Sequence, residues 1–329
     1  MKIRLFIILM VLMLTNALRM QAQQKPMYSQ YMFNTFLTNP AAAGAEGTTS
    51  INFTSREQWL GLDNSPKTNA ISAQTRILKN SFIAKALNLR KKFSRRSSSG
   101  RVGVGAYIYN DMSGPISRTG MQLTYAYHIP LRQSQLSFGL ALETFQFKVD
   151  KSLLKNYDVN DDLITKSKLT KYIIDGNFGA QFTAPLYFVG LSVSDLFKSS
   201  INFGDSYSQG LQLERHYYLS GGYKIEINRY VMVEPTSLMK FTESGAFQMD
   251  LSARAYYRAD YWGGLAYRTG ADGGAIIILA GLKYNKFYFG YAFDITLSPI
   301  MTHTIGTHEF MLTVKFGENA RRYRWLNRY

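Results

Sequence analysis

The chain contains no cysteine, which excludes disulfides and thiolate metal sites and leaves redox chemistry silent about compartment. Histidine is scarce too, and His128, His216, His303 and His308 show no metal-ligand spacing. No glycine loop opens a helix to cradle a phosphate, no nucleophile elbow is present, and "GADGG" is too short for a calcium repeat. The residues therefore support no enzyme and imply no cofactor. Beyond the first residues, no apolar run approaches the 18 or more positions of a membrane helix. The oiliest, "AIIILAGL" at 275–282, is far shorter. Acidic side chains are also few, 22 Asp and Glu against 38 Lys and Arg, giving a formal net charge of +16.

What is abundant is aromatic side chain: 23 Tyr and 21 Phe, a heavy load for a soluble enzyme. The start, "MKIRLFIILMVLMLTNALRMQAQ", has a basic opening at Lys2 and Arg4, an apolar run from Leu5 to Leu14 and a more polar stretch to Ala22. That is the pattern of a cleaved secretory signal, expected over 1–22, and the apolar run is too short to anchor in a bilayer. An exported chain meets no nucleic acid, so its positive charge needs another partner or plain solvation.

From about residue 48 the sequence alternates oily and polar residues with a period of two, the mark of strands with two unlike faces. In "AFQMDLSARAYYR", 246–258, Phe247, Met249, Leu251, Ala253 and Ala255 oppose Gln248, Asp250, Ser252, Arg254 and Arg258. Fourteen strands are expected, over 48–60, 67–78, 101–110, 117–130, 134–149, 174–184, 186–195, 214–226, 229–240, 245–258, 260–269, 274–284, 286–296 and 307–317. A soluble sandwich also alternates, so three further features decide. Connections run short ("PLRQS", "TAP", "EINR", "RAD", "YNK") and long (150–173, 196–213, "TESG", "TGADGG", "LSPIMTHTIGT", with "NDMSGPIS" first) in turn. Only 79–100 interrupts that order, as a long connection on the short side. Tyr and Phe gather at strand ends, as in "YYRADYWGG", like the interfacial girdle of a membrane barrel. The last strand, "HEFMLTVKF", puts His308, Phe310, Leu312, Val314 and Phe316 on one face and ends aromatic.

The expectation is an all-β, transmembrane, antiparallel up-and-down barrel of about 14 strands in the outer membrane. Its oily faces would meet lipid and its polar faces a substantially filled lumen, with Asp250 and Arg254 cross-bridged inside. The divisions expected are a signal peptide over 1–22, a lead-in or plug over 23–47, the barrel over 48–317 and a basic tail over 318–329.

The segment "QKPMYSQYMFNTFLTNPAAAG" resembles the opening signature of the PorP/SprF family of Bacteroidota outer-membrane proteins. "REQW", "PKT", "GVGAYIYNDMSGPISRTGMQLTYAYHIPL", "RHYYLSGGY", "YAFDITLSP" and "GTHEFMLTVKF" match further blocks in order, over nearly the whole mature chain. The resemblance implies a barrel of the type IX secretion and gliding-motility apparatus. Such a barrel pairs with a secreted cargo, often an adhesin, recognised through the cargo's C-terminal domain. It also contacts periplasmic and outer-membrane components of the machine.

Two groups of residues stand out as candidates. Tyr28, Tyr31, Phe33 and Phe36, in the 28–44 stretch, need burial and suit a plug or partner contact, or a plain structured lead-in. Arg90, Lys91, Lys92, Arg95 and Arg96, within a basic run over 85–101, suit a periplasmic partner, anionic lipid or a solvated connection. Arg321, Arg322, Arg324, Arg328 and Trp325 in the tail read the same way. A general pore or solute transporter is the alternative function, on the strength of the polar strand faces.

Overall fold

The computed structural model describes residues 25–77, 101–153, 170–201, 211–270 and 273–316. The expected signal over 1–22, the basic run with Arg90 to Arg96 and the tail over 318–329 lie outside the described residues.

Fourteen antiparallel strands follow one another around a closed cylinder. They are β1 (Thr49–Glu57), β2 (Lys67–Ile77), β3 (Val102–Ser113), β4 (Ile116–Pro130), β5 (Gln135–Val149), β6 (Thr170–Thr183) and β7 (Tyr187–Ser194). They continue as β8 (His216–Tyr223), β9 (Val231–Thr242), β10 (Phe247–Tyr257), β11 (Tyr261–Thr269), β12 (Ala275–Tyr284), β13 (Phe287–Thr296) and β14 (Thr307–Phe316). The cylinder closes where β1 meets β14, with Thr49 opposite Phe316 and Glu57 opposite His308.

Burial is inverted relative to a water-soluble protein. Large apolar side chains stand outward, with Leu140 60% and Leu265 61% exposed, while Asp175 and Glu309 are 0% exposed within. On β10, Leu251 and Ala253 face out, and Gln248, Asp250, Ser252 and Arg254 face in, as the alternation predicts. Closure leaves the wall no free strand edge, which hydrocarbon demands. Tyr187, Tyr223, Tyr257, Tyr261, Tyr284 and Phe287 ring one rim on the outside, at the level of the short turns. This is an outer-membrane barrel, with short periplasmic turns at the rim that carries Thr49 and Phe316.

Two expectations change in detail. "NDMSGPIS" is not a long loop: β3 and β4 pair out to Ser113 and Ile116, leaving only Gly114 and Pro115 between them. Past the bilayer both faces are wet, so alternation fades while the ladder continues, and Gly114 supplies the positive φ of +57° that the turn requires. Arg258 does not enter the lumen. It sits in the β10–β11 turn at φ +53°, with its guanidinium over the rings of Tyr230 and Tyr257.

Candidate functional site

A barrel of this strand number is too wide for wall side chains alone to fill. Residues 25–48 fill most of it, running from the outer mouth down to the start of β1. Asn34 and Asn39 punctuate the segment into three single 3₁₀ turns, Tyr31–Phe33, Thr35–Leu37 and Pro40–Ala42. Asn39 caps the last by accepting from the Ala41 N–H, and Pro40 follows at the first helical position, where its missing donor costs nothing.

Polar contacts fix the segment near the outer mouth. Lys25 Nζ lies 2.9 Å from Glu143 and 3.0 Å from Asp195. Asp195 is also 3.3 Å from His216 Nδ1. Burial tends to raise the Asp195 carboxyl, but Lys25 and His216 outweigh it and hold the group below the usual carboxylate range. The Ser29 and Gln30 N–H groups donate to the two carboxylate oxygens of Glu309 at 2.7 and 2.8 Å. Ser29 Oγ donates to Asp294 at 2.7 Å. Arg56 bridges Asp294 (2.8 Å) and Glu309 (3.3 Å), and Arg268 bridges Asp250 (3.0 Å) and Asp294 (3.2 Å). These carboxylates, guanidiniums and backbone donors compensate one another, as buried charge requires.

Deeper in, close approach replaces charge. A Cβ on Gly103 would stand 1.9 Å from Ala43 O, and one on Gly139 2.3 Å from Ala41 N. The wall is bare where the segment's backbone touches it. His128 Nε2 meets Ala43 O at 2.9 Å, and Asn39 Nδ2 donates to Ala180 O at 3.2 Å. At the inner mouth Lys315 pairs with Glu46 at 2.7 Å.

The four aromatic candidates go to different places. Tyr28, Tyr31 and Phe36 are buried, and Phe33 is half-buried. The Tyr28 and Tyr107 hydroxyls meet at 2.5 Å. Tyr31 OH reaches Thr236 Oγ1 and Asp250 O, both at 3.4 Å. Phe33 packs on Trp262 with ring centres 5.0 Å apart, and Phe36 lies against bare Gly105.

The lumen is cross-bridged at Asp250 and Arg254, each to a neighbouring strand and not to the other. Four positions along a strand span about 13 Å, whereas directly opposed residues on neighbouring strands are about 5 Å apart. Asp250 therefore pairs with Arg268 opposite on β11, and Arg254 with Glu234 opposite on β9 at 3.1 Å. Sequence reasoning missed Ser29, Gln30, Arg56, Asp294 and Glu309. Their only local signal is that Arg56, Asp294 and Glu309 occupy inward positions of alternating strands.

Solved structures resembling the chain include the Acinetobacter baumannii outer membrane protein Omp33, at 8% identity and TM-score 0.43, covering 82% of this chain and 99% of that one. A Pseudomonas aeruginosa FadL homologue is 9% identical, with TM-score 0.45 and coverage of 89% and 94%. The KdgM porin is 9% identical, with TM-score 0.34 and coverage of 81% and 98%. No curated protein matches the chain. Residues 20–314 match the model of a family described as "Type IX secretion system membrane protein PorP/SprF". A match over that span settles membership: the chain belongs to the PorP/SprF family of type IX secretion membrane proteins.

Proposed function

We propose that this barrel is a non-enzymatic accessory of type IX secretion that binds a cognate secreted cargo, of adhesin type, and supports its export or attachment at the cell surface. The observation that carries this reading is the N-terminal segment lodged across the lumen. Residues 28–43 cross it, anchored by Glu309 above and by the backbone contacts at Gly103 and Gly139 below. A barrel closed by its own chain has its working surfaces at the two mouths and on the outer connections. The outer ends of β3–β4, β5–β6, β7–β8 and β13–β14 are the surfaces offered to a cargo's C-terminal domain. The turn side, with the 78–101 connection, is offered to the periplasmic machinery. Gliding motility follows where the cargo is a motility adhesin.

Deleting the gene and quantifying surface proteins tests the reading. Loss of one or a few exported surface proteins, with restoration by the intact gene, is the expected result. Retention of every surface protein overturns it. The pore alternative predicts large, steady conductance from the purified protein in planar bilayers, and the segment lodged in the lumen argues against that result.

A further inference from the structure

The N-terminal segment does not fill the whole lumen. At the periplasmic end a chamber of about 260 Å³ remains, bounded by Phe33, Tyr256, Trp262 and Tyr288. Its charged lining is Arg254, Lys224, Lys283 and Lys315 against Glu46 and Glu234. Arg254 is 2% exposed. Its guanidinium lies 4.3 Å from the centre of the Phe33 ring and 5.5 Å from that of Tyr256. One nitrogen, Nη2, donates to Glu234. Nε and Nη1 have no acceptor among the described residues, and neither has Nε1 of the buried Trp262. Unused donors on a buried cation are costly, and an anionic group in the chamber would take them.

At the same height the outside of the wall is hollowed. A groove of about 920 Å³ crosses β7 to β12 on the membrane face, with small residues Gly221, Pro235 and Ala253 between Val189, Leu251 and Leu265. Tyr187, Phe188 and Gly222 line both the groove and the chamber. The ladder is broken between them. Pairing of β8 with β9 stops at Gly222 opposite Thr236. The next residue of β9 is Pro235, which brings no N–H. The Lys224 N–H, on the other edge of β8, continues the pairing with β7 at Leu186 O, 2.7 Å away, so the gap is confined to the β9 side. Pairing resumes at Ile225 opposite Val233. The Phe188 ring lies 2.5 Å from where a Gly222 Cβ would stand and covers the gap from inside.

We propose that chamber and groove are two halves of one site for a single-chain anionic lipid. Its carboxylate or phosphate head sits on Arg254, and its acyl chain passes beside Phe188 through the β8–β9 break into the membrane-facing groove. The volumes support this division. The chamber is below the ~300 Å³ lower end of whole-ligand pockets, so it takes a head group and leaves the chain outside. The groove opens onto hydrocarbon, and its natural occupant is an acyl chain. The site does not depend on the cargo reading.

The test uses full-length protein in phosphatidylcholine nanodiscs with palmitate carrying a photoreactive diazirine in its chain. Cross-links are mapped by mass spectrometry. Adducts are expected around Val189, Leu251 and Ala253. Excess palmitate or lysophosphatidate removes them, the better competitor naming the head group, and uncharged hexadecanol does not. The double variant Glu234→Gln, Arg254→Gln removes both buried partners and lowers labelling about tenfold, as the loss of a charge-assisted hydrogen bond implies. Ala253→Phe fills the groove on the lipid face, leaves the lumen untouched and also abolishes the adducts. Equal competition by hexadecanol, or labelling indifferent to both variants, means ordinary bilayer contact and overturns the proposal. Competition by water-soluble glutarate with no effect of Ala253→Phe means an anion site fed from the periplasm, and overturns it as well.

Discussion

At Glu309 one buried carboxylate receives the N–H groups of Ser29 and Gln30 and an Nη of Arg56. Glu309→Ala removes three charge-assisted contacts and leaves Arg56 with only Asp294 and Ser29 Oγ. Breaking one side of such a buried set costs about 3–5 kcal/mol. The expected result is a barrel that persists while the outer part of the segment loosens. Amide exchange at residues 28–31 should rise steeply, and amides of β4 and β5 should stay protected. Unchanged exchange at 28–31 would mean that Glu309 does not hold the segment. Asp195 gives a pH test. Its folded pKa lies below that of the unfolded chain, so its pairing contributes fully above about pH 4 and is lost as pH falls through the lower folded value. The protection factor near Lys25 should be flat from neutral pH down to that point and should fall below it. Little of this was legible in the sequence. Arg56 and Glu309 are visible as inward charges, but their common partner, Ser29, lies in a segment with no periodicity. Asp250 and Arg254 were legible as lumen charges, but their partners Arg268 and Glu234 are set by the register of neighbouring strands.

Elements were far more legible, for a physical reason. With lipid on one side and a polar lumen on the other, every strand must alternate, so each carries its own signature. The signature fails where the media stop differing, as at the tip of β3–β4. It says nothing of a short segment folded as isolated 3₁₀ turns. That inward glycines of β3 and β5 make room for the segment was not legible, because it depends on what lies opposite. Gly103 and Gly139 carry that meaning. Gly103→Val places a branched side chain where Ala43 O already stands, and the wall ladder cannot retreat without losing its hydrogen bonds. The segment must shift instead. In planar bilayers the unaltered protein should pass little current and the variant a steady one. A quiet variant beside a quiet parent would mean that the segment reseats elsewhere in the lumen. A conducting parent would mean that the lumen is not sealed.

For the whole molecule, direction is the quantity that function needs. Both ends of the closed wall, Thr49 and Phe316, lie at the rim of short turns, while Lys25 lies near the opposite mouth beside Asp195. The segment therefore points its amino end outward, against the course of the chain that follows it. The cysteine-free chain makes orientation measurable without background. Ser113→Cys, exposed at the tip of β3, should react with a membrane-impermeant maleimide on intact cells. Gln133→Cys, exposed in the β4–β5 turn, should react only after the outer membrane is opened. The reverse pattern would turn the barrel over. The connections offered to a cargo would then face the periplasm, and the chamber at Arg254 would lie beneath the outer leaflet, where the proposed lipid would have to enter.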